Sequence, residues 1–402
     1  MHLLGLPSMH RAQEATGNAI LAEAILAAEA GQRVSYSRRK DFYRQAARYR
    51  HTSYTYATVM SAVGLFDRTG WIHDHRVPPG FRGWQSSFEA TDQLLDAWHG
   101  GGGGRGLQRL APAETVWLKN DVGELIDYRD TALTARIRGQ LAERNEAMSA
   151  IKIELPDVEW RGHHLMFADG SFVLPIPGNP LRRIFSRGSF DLHGRAYGWS
   201  QNIPKAVRLS ATINGEPVVE CDYSALHPTI LYSQAGVPLT GDPYDVDGFD
   251  RKEVKAGFLI ALNAKNDHAA AAALADELGC DRGHAANIIT GIKRRHKPIE
   301  RHICNDEGIR LMRTDSELIL TALKVVNDAG EPALPVHDSL IVPARCAGLA
   351  EAAMHESFAR IVAGSVAGAS HCKVKVNHPS DPHMGERPCP VPSGPVLPSG
   401  LV

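Results

Sequence analysis

Two short apolar runs, each carrying an aspartate at its polar end, constrain this chain more than any other feature. The first is Pro217-Val218-Val219-Glu220-Cys221-Asp222-Tyr223-Ser224, and the second is Ala333-Leu334-Pro335-Val336-His337-Asp338-Ser339-Leu340-Ile341-Val342. Both are rich in Val, Ile and Leu and bounded by Gly and Pro, which predicts buried β-strands. A carboxylate at the end of a buried strand is costly to desolvate unless a cation meets it. Two of them on neighbouring strands would hold a pair of Mg²⁺ ions roughly 4 Å apart, as in-line phosphoryl displacement requires. Carboxylate oxygens are the hard donors that Mg²⁺ prefers, and Mn²⁺ would substitute. The pattern predicts a two-metal nucleotidyl transferase with Asp222 and Asp338 as ligands and the carbonyl of Tyr223 as a further oxygen.

The 402 residues suffice for two or three domains. No apolar stretch reaches the ~18 residues of a membrane span, so no membrane partner is expected. Met1 to Leu26 lacks the basic segment and apolar block of a signal peptide. Six cysteines, at 221, 280, 304, 346, 372 and 389, show no paired spacing and suit a reducing cytoplasm. The net charge of −1 does not announce nucleic-acid binding, but the basic residues are clustered. They gather at Arg38-Arg39-Lys40, between Arg44 and Arg50, at Arg182-Arg183 with Arg187, and at Lys293-Arg294-Arg295-His296-Lys297. Any one cluster reads as a solvated face. Several around one acidic centre suit an anionic polymer.

Residues 1–112 read as a separate, mainly helical module. Tyr56 to Phe66 has helical spacing. Gly70 to His73 and Pro78 to Gly83 read as a strand, a turn and a return strand. Ser86 and Glu89 stand in capping-box register for a following helix. Helix, helix, hairpin, helix is the order of a winged helix, and a small structural cap is the alternative. Gly100 to Gly104 lacks the Lys-Ser/Thr of a phosphate loop and reads as a linker. Residues 113–180 form a thumb-like or connecting region, with a strand at Glu114 to Leu118 and a long helix from Thr131 to Ile151. Residues 181–385 alternate strands and helices and carry the chemistry. The Pro-rich tail, 386–402, is expected to be disordered. Cys372, His378, His383 and Cys389 are a loose candidate zinc set.

Four segments in order carry a resemblance. They are Gly194-Arg195-Ala196-Tyr197-Gly198-Trp199-Ser200-Gln201-Asn202-Ile203-Pro204, then Asp222-Tyr223-Ser224-Ala225-Leu226-His227-Pro228, then Arg251-Lys252-Glu253-Val254-Lys255 with Leu262-Asn263-Ala264, and finally Val336-His337-Asp338-Ser339. Together they resemble the motifs of family A polynucleotide polymerases, the superfamily of bacterial repair DNA polymerases and phage-type single-subunit RNA polymerases. The resemblance covers roughly Arg183 to Val342. It implies an α+β fold, a right-hand palm whose antiparallel sheet carries both aspartates. Only 116 residues separate Asp222 from Asp338, so the helical fingers should be reduced. It implies DNA primer–template and nucleoside triphosphates as partners, with nucleic acid held near Arg195, Gln201, Asn202 and His337. The N-terminal region is too short for a proofreading exonuclease.

The residues make physical sense beside the resemblance. Arg251 and Lys255, four apart, share one helix face and would grip a triphosphate as fork and point charge. A plain basic helix face is the alternative. Arg195, Gln201 and Asn202 would read the minor-groove acceptors present in every base pair, or the two amides would stabilise a turn.

Four positions depart from the family. His227 stands where motif A has glutamate, Asn263 and Ala264 where motif B has Tyr-Gly, and Ser339 where the DNA-making branch has glutamate. A histidine ring would gate the sugar by bulk, and Asn263 would hydrogen-bond a ribose. DNA-directed DNA synthesis is the expected activity. Open alternatives are a primase or RNA polymerase on the same site, a DNA-binding replication initiator with an inactive core, and a Mg²⁺ nuclease or phosphatase using the same two aspartates, with Glu220 or Glu317 as the further acidic candidate. A bacterial, phage or mobile-element gene would suit such a reduced enzyme.

Overall fold

The structure, a computed structural model, describes residues 11–45, 47–50, 53–78, 84–101, 107, 110–156, 158–363 and 371–379. Its architecture mixes helices with mainly antiparallel sheets. No described helix is long and apolar enough to cross a membrane.

The first unit runs α1 (Arg11–Glu29), β1 (Val34–Ser35), α2 (Lys40–Gln45), α3 (Tyr56–Arg68), β2 (Ile72–His75), β3 (Ser87–Ala90) and α4 (Asp92–Gly100). Its antiparallel sheet has the order β1-β3-β2. Thr55 and Thr58 cap the start of α3 reciprocally, each hydroxyl accepting from the other's backbone N–H. Val59, Ala62, Val63 and Phe66 then bury one face of α3. They join Ile20, Ile25, Ile72, Phe88 and Leu94 in a core of the unit's own.

The helix start expected at Ser86 is a strand instead. Phe88 is buried while Glu89 lies across from Arg33 and His75, each 2.8 Å away. Alternation wins over the capping pattern. The helix begins after Thr91, whose hydroxyl accepts from Leu94 N–H. The strand that pairs with β2 is β3, and of the segment Pro78 to Gly83 expected to return, residues 79–83 lie outside the described ones. So do 102–104 of the expected linker, His383 and Cys389 of the zinc set, and the tail 386–402.

Next come β4 (Val116–Leu118), α5 (Ala132–Ser149), β5 (Ile153–Glu154) and a small antiparallel sheet of β6 (Glu159–Arg161), β7 (His164–Met166) and β8 (Phe172–Val173). Strands β9 (Arg182–Ser186) and β10 (Ser189–Tyr197) form an antiparallel pair, and β4 joins β9 in parallel. The chain continues through α6 (Lys205–Leu209), β11 (Thr212–Ile213), β12 (Glu216–Tyr223) and α7 (Leu226–Gln234).

Three helices follow, α8 (Arg251–Asn263), α9 (Asp267–Leu278) and α10 (Arg282–Arg295). Asp250, Asn266 and Asp281 cap them in turn, each side chain accepting from backbone N–H groups of the first turn. The last elements are α11 (Gly308–Asp328), β13 (Leu334–Val336), β14 (Ser339–Pro343), α12 (Ala347–Phe358) and β15 (Val374–Asn377).

The main sheet has the order β13-β14-β12-β11-β5, with β15 also on β12. Strand β12 is its centre. Val219, Cys221 and Tyr223 turn to one face and are buried, and the Tyr223 hydroxyl donates to Met354 O of α12 at 2.6 Å. Alternation sends Glu220 and Asp222 to the other face.

Candidate active site

Register brings the two aspartates together. Asp222 lies opposite Ser339 in the β12–β14 ladder, one residue from Asp338, and Tyr223 N–H points to Asp338 O at 3.5 Å. Asp338 does not end a strand, as the sequence pattern suggests. It is the second residue of the two-residue turn joining β13 to β14, whose strands pair Val336 with Ser339. His337, the first turn residue, has φ 52°, a left-handed conformation usual for glycine. Ala225, which opens α7 just after Asp222, also has φ 52°. Backbone held in this region on both sides of one carboxylate pair is the kind of strain found at functional sites.

No described side chain donates a hydrogen bond or forms an ion pair to either carboxylate. Burial and then the Asp338 charge push the Asp222 carboxyl up to about 8, with Glu220 adding to the rise and Lys205 and Lys255 opposing it. Burial and then Asp315 raise Asp338 too. Like charges confined together favour protonation unless a cation neutralises them.

No cluster of three or more metal-ligating side chains occurs among the described residues. Two carboxylates are nonetheless a donor set that suits Mg²⁺, which keeps waters and takes substrate phosphates for the rest of its shell. Tyr223 commits its ring to the α12 face, so any share in a cation site would fall to its backbone. Glu220 is engaged otherwise. Its Oε1 lies 2.8 Å from the Ser339 hydroxyl and 3.5 Å from Arg208, and its Oε2 is 3.8 Å from Lys205. Glu317, the other acidic candidate, is held by Arg183 at 2.7 Å and by Arg313.

The remaining candidates divide. Lys255 is exposed on α8 and makes no hydrogen bond or ion pair among the described residues, yet its charge is felt at Asp222. Arg251, on the same face, pairs with Asp242 at 2.5 Å and lies over the Tyr244 ring. Asn263 donates to Leu259 O at 2.8 Å. It also stands against Gly308, where a Cβ would come within 2.2 Å of its Oδ1. Asn202 is exposed. Gln201 is a tie within the fold, donating to Ala196 O at 2.9 Å and Pro335 O at 3.0 Å. It thereby fixes β10 to the strand that leads into the His337-Asp338 turn. Arg195 is likewise taken, by Asp315 at 2.5 Å.

Asp315 is the residue that sequence reasoning misses. It is fully buried on α11 and also lies 3.2 Å from His227 Nε2. The Arg195 charge, and then the hydrogen bond with His227, hold its carboxyl below the usual range despite the opposing effect of burial. The signal was available: Leu311, Asp315, Leu318, Ile319 and Ala322 form one buried stripe, and a lone acid in it requires a partner.

No protein-family model matches the sequence, and no curated protein does. Among solved structures the chain is similar to the POL domain of Pol1 from M. smegmatis, in complex with DNA primer-template and dNTP. The identity is 14% and the TM-score 0.33, over 61% of this chain and 51% of that one. The chain thus spans about half the length of that domain.

Proposed function

We propose that this chain is a template-dependent nucleotidyl transferase, a DNA-directed DNA polymerase that works with two Mg²⁺ ions. The observation that carries the reading is the meeting of Asp222 and Asp338, two half-buried carboxylates to which no side chain among the described residues hydrogen-bonds or ion-pairs. In this reading the sheet around β12 is a palm and α8–α10 are reduced fingers. Asp222 and Asp338 hold the cations, with the Tyr223 carbonyl beside them. The bound cations supply activation of the primer 3′-hydroxyl and stabilisation of the leaving pyrophosphate.

The protein's own groups do the positioning. Lys255 and Arg251 face the triphosphate from one side of α8, the arginine exchanging Asp242 for the substrate. His227 is fixed by Asp315, which suits a wall beneath the sugar better than a mobile donor. The first unit has helix, strand, two helices and a hairpin, with β1 beside the return strand β3. That order supports a winged-helix module binding duplex beside the template.

Primer extension on a labelled primer–template with Mg²⁺ and either dNTPs or NTPs tests the reading. Wild type should extend with dNTPs and Asp338→Ala should lose at least about a thousandfold, the scale of a charge-stabilising group in phosphoryl transfer. His227→Ala should admit NTPs. Extension that survives Asp338→Ala would refute the assignment.

A further inference from the structure

Asp315 gathers two of the candidate residues onto one carboxylate. Its side chain is fully buried in the middle of α11. Arg195 reaches it from β10, with Nε 3.2 Å from both carboxylate oxygens and Nη2 2.5 Å from Oδ2. His227 reaches it from the first turn of α7, with Nε2 3.2 Å from the same Oδ2. The trio borders the Asp222–Asp338 pair. Burial and then Asp315 raise the Asp338 carboxyl, and the Arg195 and His227 charges oppose them.

Charge decides which partner donates. With Arg195 beside it Asp315 stays ionised, and an ionised carboxylate only accepts. The hydrogen between Asp315 and His227 therefore belongs to Nε2, which fixes that edge of the ring toward α11. Among the described residues Asp315 is the only side chain bonded to the ring. The backbone fixes the other end of the side chain. Ala225, at φ 52°, opens α7, and its carbonyl accepts from the Thr229 hydroxyl at 2.8 Å. The His227 side chain keeps 13% of its surface exposed, so a small part of it remains open to a bound molecule.

Helix α11 braces the Arg195 side as well. The Ser316 hydroxyl donates to Gly194 O at 2.7 Å, and Arg313 donates to Phe190 O at 3.1 Å. The helix is thus tied to β10 on both sides of Asp315. A group that selects by bulk works only in place, and a displacement of about 1 Å at a reacting site is enough to change rates by about a hundredfold.

We propose that Asp315 is a specificity-determining positioning residue, which through its bond to His227 Nε2 sets the choice between deoxyribose and ribose triphosphates at the Asp222–Asp338 centre. This role rests on the nucleotidyl-transferase reading, but the bond itself is measurable without catalysis.

The test compares full-length wild type, His227→Ala, Asp315→Asn, Asp315→Glu and the double variant His227→Ala/Asp315→Asn. Single-nucleotide incorporation on a labelled primer–template gives kcat/KM for a dNTP and for the matching NTP. Wild type should prefer the dNTP. Asp315→Asn should cut that preference by roughly tenfold or more, the scale on which a pocket tells apart one small group. The double variant should discriminate no worse than His227→Ala alone, because the carboxylate then has no ring to hold. Asp315→Glu keeps the charge beside Arg195 but moves the carboxylate by one methylene, and should lose discrimination too. Melting curves verify folding, and Asp315→Glu with its own His227→Ala double variant carries the test if the asparagine variant does not fold.

The second measurement is ¹⁵N NMR of histidine-labelled protein, with the His227 signals assigned by their absence in His227→Ala. Wild type should show Nε2 protonated and its hydrogen protected from exchange with water. A ring protonated at Nδ1 alone, or an Nε2 hydrogen that exchanges freely, would overturn the proposal. So would unchanged discrimination in the folded Asp315 variants, or losses that add to that of His227→Ala, and both would leave the polymerase reading in place. A wild type that incorporates neither nucleotide, or prefers the NTP, would sink that reading and this role together, and a protected Nε2 hydrogen would then mark a structural tie alone.

Discussion

Asp222 carries an electrostatic burden in the centre whose sign can be measured. Its folded pKa lies near 8 against an ordinary value of 3.8. Between those limits the folded state binds more protons than the unfolded chain, so metal-free stability falls as pH rises through the window and is flat above it. Asp222→Asn removes the repulsion. It should stabilise the metal-free protein by about 1 kcal/mol at pH 8, the low end for a carboxylate that water still reaches, and by nothing near pH 4. Cation binding needs the deprotonated pair, so Mg²⁺ should raise the melting temperature of wild type at pH 8 and much less at pH 5.5. Asp222→Asn should abolish that Mg²⁺ response. Thermal melts over pH 5 to 9, with and without Mg²⁺, check all three outcomes. A metal-free wild type that gains stability as pH rises would contradict the carboxylate clash.

Among the elements, β10 shows how local backbone geometry aims a side chain. The ladder with β9 slips twice, between Ser189 and His193 and again before Arg195. His193 and Gly194 at the slip both have positive φ, 67° and 73°. The Gly194 carbonyl accepts from Arg183 at 2.6 Å and from the Ser316 hydroxyl at 2.7 Å. A Cβ there would meet the Phe185 ring at 2.7 Å. Gly194→Ala should therefore destabilise the fold by about 2 kcal/mol or more and loosen the Arg195–Asp315 pair, which denaturant unfolding and the pH dependence of extension would reveal.

This bulge also marks where the sequence stopped being readable. The strand β12, the helices around 56–68 and 132–149, and the paired aspartates were legible because each is written in a local period of two or 3.6 residues. In the sequence Arg195 and Gln201 look available to nucleic acid because their partners within the fold, Asp315 and Pro335, stand more than a hundred residues away. The Ser86–Glu89 error has the same origin, since the cross-strand residues His75 and Arg33 decided Glu89's role.

At the scale of the whole molecule, the first unit and the remainder keep separate apolar cores and meet mainly through polar contacts, with the Tyr49 ring edge-on to Trp117 at 5.8 Å. Arg48 pairs with Asp127 at 2.7 Å and Asp130 at 3.2 Å, donates to Tyr128 O at 2.6 Å, and lies 4.1 Å over the Tyr128 ring. The Tyr49 hydroxyl takes the free edge of β4, accepting from Leu118 N–H at 3.0 Å. Glu29 closes the other end, accepting from His163 N–H at 2.8 Å. It fills the space over Gly162, where a Cβ would come within 2.2 Å of the carboxylate. None of these contacts could be foreseen from periodicity, because each joins segments that are regular by themselves. A junction built from ion pairs and hydrogen bonds couples two cores weakly and is screened by salt. Calorimetry of the full chain should accordingly show two transitions that move apart as salt rises. Arg48→Ala should lower the transition of the first unit by several degrees, about 1–2 kcal/mol for a partly buried, multiply bonded cation, while the other transition stays in place. A single transition that Arg48→Ala shifts as a whole would mean that the two cores fold as one, and the first unit would then be a fixed wall of the centre instead of a module set beside it.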